Sequence, residues 1–295
     1  MTAEHPETTR LIDVPLGVGE NPLWDERTGC LLFIDILAPA LFRLDPASGA
    51  LERFAMPAAI GSFGLCPDGR AIVALRTGVH FFDFATGKFE FFVHPEPDRP
   101  GNRLNDGKVG PDGRFWVGSM DDRPAKEPVA ALYRIDPDGR STKMVEGLIV
   151  SNGLAWSPDG RTLYHSDSRQ RFITAYDYDL ATGDIANRRE LRVMSEEGGR
   201  PDGAATDAEG FYWSAGVSAG VLNRIAPDGT IGRKLKLPVP APSMPCFGGP
   251  DLRTMYVTSL TREVDGRPVA GTVLSLDAGV AGAPIPRFGE RVAGL

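Results

Sequence analysis

The sequence predicts an all-β fold, a six-bladed β-propeller with four antiparallel strands in each blade. Three observations carry this. Strand-and-turn signals recur along the 295 residues and fall into six pairs, each pair repeats after about 40–50 residues, and the series runs from Glu20 to about Phe288 with no linker or charge run between copies. The length alone would allow two domains, but the unbroken period argues for a single one over residues 1–295.

The first member of each pair is a strand entered through a Pro-Asp-Gly-like turn. The copies read DERTGCLLFID (25–35), CPDGRAIVAL (66–75), GPDGRFWVGS (110–119), SPDGRTLYHS (157–166), DAEGFYWSAG (207–216) and GPDLRTMYVT (249–258). Proline presets φ at the first corner, aspartate tolerates the second, and glycine takes a positive φ with no Cβ to clash. With Arg253 taken as the counterpart of the turn glycine in the last copy, the markers fall at 29, 69, 113, 160, 210 and 253. The second member is an amphipathic hairpin, from LFRLDPASGALERF (41–54) to VLSLDAGVAGAPIPRF (273–288). The polar start TRLIDV (9–14) is expected to add a strand to the last blade and close the ring.

Composition narrows the function. The net charge is −7 and no basic stripe appears, which argues against nucleic acid as a partner; Arg188, Arg189 and Arg192 read as a solvated outer strand. No apolar stretch reaches the ~18–20 residues of a membrane span, and the start MTAEHPETTR lacks an apolar signal core. Cys30, Cys66 and Cys246 have neither metal nor redox spacing and read as buried small hydrophobes in a reducing, cytoplasmic protein. No feature fixes an oligomeric state.

Where the repeats differ from one another, chemistry appears. Trp24 and Trp156 share a phase just before the turn, and four residues earlier stand Glu20 and Asn152. The same phase carries Asn105 in the third unit and Asp202 in the fifth, against Gly61 in the second and Pro245 in the sixth. These positions enter the innermost strand of each blade, so they form a ring at one mouth of the central channel. Two carboxylates and two amides gathered there repel and lose hydration unless a cation compensates them. Oxygen donors of this kind suit a divalent ion such as calcium, magnesium or manganese. Asn-Gly and Asp-Gly are also ordinary turn dipeptides, but turn formation does not explain Glu20 ahead of Asn-Pro.

The segments GENPLW (19–24), RLNDGKVGPDGRFWVGSM (103–120), SNGLAWSPDG (151–160), YDYDLATGDIANRR (176–189), RPDGAATDAEG (200–210) and CFGGPDLRTMYVTS (246–259) resemble blocks of the senescence-marker-protein-30/gluconolactonase family, the regucalcin-like lactonases. The resemblance covers nearly the whole chain. It implies a six-bladed propeller with one divalent metal in the channel, drawn from calcium, zinc, manganese and magnesium. It implies Glu20, Asn152 and Asp202 as metal ligands, Arg103 and Asn105 as substrate contacts, and Asp202 also as the catalytic acid/base. Animal members carry a substrate-contacting glutamate shortly after the block that ends here at Met120. Counting forward puts Arg123 in its place, after Asp121 and Asp122, so Asp122 and Arg123 are expected to supply polar walls for the distal hydroxyls.

The reaction so implied is hydrolysis of a sugar lactone, such as gluconolactone, to the aldonic acid. A related metal propeller hydrolysing organophosphate or aryl esters, and a non-enzymatic calcium-binding or interaction propeller, are the competing readings. Gly216-Val217-Ser218-Ala219-Gly220 matches the G-x-S-x-G string of serine hydrolases, but that elbow needs a helix after it and a strand is expected here.

Overall fold

The computed structural model describes residues 2–284 and 286–295. Six four-stranded antiparallel sheets follow one another along the chain, and no helix is present among these residues. Blade one comprises Gly19–Asp25, Cys30–Asp35, Ala40–Leu44 and Leu51–Ala55, running from the innermost strand outward. The innermost strands of blades two to six are Ile60–Leu65, Asn102–Val109, Ser151–Trp156, Pro201–Thr206 and Pro242–Gly248. Each packs on the next, and the last returns to the first, so the sheets close into a six-bladed propeller. Closure uses the N-terminus as expected. Thr9–Arg10 is the outermost strand of blade six, with Thr9 opposite Ser275 and Arg10 opposite Leu274.

The burial gradient follows the alternation of strands. Inner strands such as Ser151–Trp156 are buried throughout, whereas the outer strand Ile185–Val193, which carries Arg188, Arg189 and Arg192, is largely exposed. Apolar faces pack between blades. Leu23, Leu32 and Ile34 of blade one meet Phe63, Val73 and Phe82 of blade two, and Trp213 of blade five meets Phe247 of blade six. Cys66 and Cys246 are buried, but Cys30, at the edge of a turn, is only half-buried.

The turns obey the chemistry read from the sequence, with one correction. Gly69, Gly113, Gly160 and Gly210 have φ between 68° and 87° and donate back three residues. In the last copy Leu252, not Arg253, takes this place: its φ is 56° and its N–H donates to the Gly249 carbonyl at 3.2 Å. The sixth unit is therefore in phase one residue earlier. Its counterpart of Glu20, Asn105, Asn152 and Asp202 is the fully buried Met244, not Pro245.

Every innermost strand breaks register at its start. The irregularities fall between Glu20 and Leu23, Ile60 and Ser62, Leu104 and Gly107, Asn152 and Ala155, Pro201 and Ala204, and Pro242 and Met244. Such bulges bend a strand and re-aim a side chain. Four of the positions they set, Glu20, Asn105, Asn152 and Asp202, face the channel mouth. The C-terminal tail lies at the other end, among the turns that leave the inner strands: Phe288, Gly289 and Val292 donate to the carbonyls of Leu65, Gly113 and Pro111.

Candidate active site

A cavity of about 210 Å³ opens at the mouth where the inner strands begin, and Glu20, Arg103, Asn105, Asn152 and Asp202 all line it. Four blades thus bring the ring predicted from phase to one place. A chain of hydrogen bonds fixes its polar groups. Arg103 Nη1 donates to Asn105 Oδ1 at 2.8 Å, and Asn105 Nδ2 donates to the Ser151 carbonyl at 2.9 Å and to Asn152 Oδ1 at 3.2 Å. Asn152 Nδ2 donates to Ser168 Oγ at 2.7 Å, and that hydroxyl donates to the Pro201 carbonyl at 2.6 Å. Because the Asn152 nitrogen is committed to Ser168, its oxygen is left on the side of Asn105 and the cavity.

The electrostatics are set by burial. Asp202 is 8 % exposed, and enclosure followed by the charge of Asp106 pushes its carboxyl up to about 7. Enclosure, then the charges of Asp202 and Asp106, hold the Glu20 carboxyl well above its usual range. Arg103 relieves neither fully. Its Nε is 3.5 Å from Asp122 Oδ1, and its Nη1 is taken by Asn105 and the Leu104 carbonyl.

Whether these residues suit a divalent ion can be judged from the donors. No group of three His, Cys, Asp or Glu side chains among the described residues is close enough to hold an ion. A site here therefore needs an amide oxygen, and Asn152 Oδ1 supplies one. Glu20 and Asp202 would then give a charge of about −2 against a dication, whose field would oppose the burial and the like charges that raise both carboxyls. The set fits a hard, oxygen-binding cation.

The remaining expectations divide. Asp122 reaches the site through Arg103 and also pairs with Arg76. Arg123 is not on the cavity wall. Its Nε donates to Asp121 Oδ1 and its Nη2 to Asp121 Oδ2, both at 2.9 Å, and Glu127 holds Nη2 at 3.1 Å, so the guanidinium is turned away into a loop. Lys126, Arg169 and Arg200 line the cavity instead. Beneath Asn105, Asp106 is 4 % exposed, accepts from Leu154 N at 3.2 Å through Oδ2, and leaves Oδ1 without a partner. Lys108 Nζ donates to the Ala204 carbonyl at 2.7 Å. Ser218 sits in a strand–turn–strand, where its Oγ accepts from Arg200 N at 2.9 Å, with no helix following. His165 is fully buried, its Nε2 2.8 Å from Ser151 Oγ.

A family model described as SMP-30/Gluconolactonase/LRE-like region matches residues 18–261. The chain is 39% identical over 280 residues to a Pseudomonas putida protein named 6-deoxy-6-sulfogluconolactonase, covering 93% of this chain and 96% of that one. It is 38% identical over 253 residues to regucalcin of Xenopus laevis, covering 84% and 85%. Among solved structures, a calcium-binding protein, regucalcin, from Agrobacterium tumefaciens superposes with a TM-score of 0.91 at 28% identity, over 98% of this chain and 100% of that one. A luciferin-regenerating enzyme superposes with a TM-score of 0.88 at 29% identity, over 95% and 99%.

Proposed function

The chain belongs to the SMP-30/gluconolactonase/LRE-like family, and from that premise we propose that it hydrolyses a sugar lactone to the aldonic acid. The observation that carries the reading is one cavity lined by Glu20, Asn152 and Asp202 together with Arg103 and Asn105. Glu20, Asn152 and Asp202 would hold one divalent ion, and the all-oxygen donor set favours calcium, magnesium or manganese over zinc. When bound, such an ion polarises a carbonyl and acidifies water.

The chain's own groups do the rest. Arg103 presents the N–H groups not used by Leu104 and Asn105 to the lactone oxygens. Asn105, fixed by Arg103 and Ser151, orients a hydroxyl or the carbonyl. Asp202 acts as acid and base. It takes a proton from water as the water oxygen bonds to the carbonyl carbon. It returns that proton to the ring oxygen as the acyl–oxygen bond breaks, so water is consumed and a hydroxy acid leaves.

The test is acid release from δ-gluconolactone by purified protein, before and after chelation. Activity that falls with chelation and returns with a divalent salt is expected. Full activity after complete metal removal, or none toward any aldonolactone, would overturn the reading.

A further inference from the structure

The cavity wall carries an excess of positive charge that opening a neutral lactone does not require. Four cationic side chains, Arg103, Lys126, Arg169 and Arg200, line it against two carboxylates, Glu20 and Asp202, on a chain whose overall charge is −7. A dication between the two carboxylates would neutralise them, and with Arg103 paired to Asp122 it would leave Lys126, Arg169 and Arg200 unbalanced.

These cations come from separate segments that meet at one mouth. Lys126 lies in the loop between Phe115–Asp121 and Ala130–Ile135 of blade three, and Arg169 in the loop between Thr162–Asp167 and Phe172–Tyr178 of blade four. Both loops stand at the end where the innermost strands start. Arg200 directly precedes the inner strand of blade five. Among the described residues neither the Arg169 nor the Arg200 guanidinium makes a hydrogen bond or an ion pair; their backbone N–H groups donate to Asp167 Oδ1 at 2.8 Å and Ser218 Oγ at 2.9 Å. Lys126 spends one N–H on the Asp121 carbonyl and has no salt-bridge partner there either. Burial first, and then the charges of Arg169 and Arg103 against that of Asp122, hold its ammonium below the ordinary range, so these groups share one field. Like charges held together at a cavity mouth repel unless an anion joins them.

We propose that the substrate carries an anionic group away from its lactone carbonyl, a sulfonate, phosphate or carboxylate on the distal carbon, and that Lys126, Arg169 and Arg200 receive it. The inference rests on the lactone reading and narrows it. Arg103 and Asn105 serve the reacting end beside Asp202. Lys126 and Arg169, on the rim loops, are placed for the far end of a sugar-sized molecule.

The experiment has a kinetic and a binding arm. In the first, kcat/KM is measured for δ-gluconolactone and for aldonolactones bearing a terminal sulfonate, phosphate or carboxylate, with wild type, Lys126→Gln and Arg169→Gln. At least one charged lactone is expected to exceed the neutral one by tenfold or more, and each substitution should shrink that preference about tenfold or more, chiefly through KM. Raising salt should weaken it further. In the second arm, calorimetry compares binding of the unreactive aldonates, gluconate against its terminally charged analogues, to the same proteins. Equal treatment of neutral and charged lactones, or a preference that survives both substitutions, overturns the inference and leaves the lactonase reading standing. Absence of all lactone opening, with tight binding of the charged aldonates that Lys126→Gln abolishes, sinks the lactonase reading and keeps the anion site. The three charged probes tell which oxyanion is preferred.

Discussion

Replacing Asp202 by asparagine removes one of two carboxylates enclosed together at the channel mouth, and the cost of keeping it can be worked out. Its carboxyl is raised from an ordinary 3.8 to about 7, first by burial and then by Asp106. At about 1.4 kcal/mol per pH unit, ionised Asp202 destabilises the metal-free fold by roughly 4 kcal/mol above pH 7. The sign follows from linkage. The folded pKa is raised, so stability is full below about pH 4, where both states hold the proton, and is lost as the pH climbs through 7. Asp202→Asn lacks this contribution, and the pH slope of the enclosed Glu20 remains. In chelator-treated protein, urea denaturation should show the variant gaining roughly 3 kcal/mol on wild type between pH 5 and pH 8. Calcium at pH 8 should then stabilise wild type and leave the variant nearly unmoved. A gap that does not change with pH, or a variant as responsive to calcium as wild type, would refute the electrostatic reading of this pair.

Three further outcomes are expected. Ser218→Ala should keep its lactone-opening rate, because the hydroxyl only accepts from Arg200 N; a loss beyond tenfold in kcat would revive the serine-hydrolase motif. Asp207→Ala should cost about 3–5 kcal/mol in chemical denaturation, since this fully buried carboxylate accepts from Trp213 Nε1 at 2.8 Å and Arg224 Nε at 2.7 Å, and its loss strands both donors. Deleting residues 2–12 removes the outer strand of blade six and the buried Ile12, worth about 2 kcal/mol, so thermal unfolding should begin about 4 °C lower or more; an unchanged midpoint would show that ring closure does not depend on this segment.

The fold was legible because its signals are local and repeated. Each inner strand is followed by a turn whose proline and glycine state their backbone angles in the sequence, and a period of about 40–50 residues multiplies a weak signal. The one misplacement shows the limit of that logic. In GPDLRT a leucine occupies the positive-φ corner at φ 56°, so a glycine search finds nothing there and settles on the neighbouring Arg253. One residue of error moved the ring position from Met244 to Pro245.

The same physics decides which site residues a repeat can reveal. Glu20, Asn105, Asn152 and Asp202 sit on strands, where equal phase means equal height around the channel, so sequence spacing converts into position. The bulge that aims them also spends an extra residue, and Asp106 hid inside that extra place as half of an ordinary Asp-Gly turn. Lys126, Arg169 and Arg200 stand on loops, where no phase is shared and counting fails. Arg123 failed in the same way: Asp121, buried at the end of its strand, grips the guanidinium bidentately and turns it from the cavity, while Lys126 reaches the wall. In this architecture strands can hold the reacting end of a site constant while loops of free length choose what the far end must carry. The charge on those loops therefore bears on the substrate more directly than the ring does.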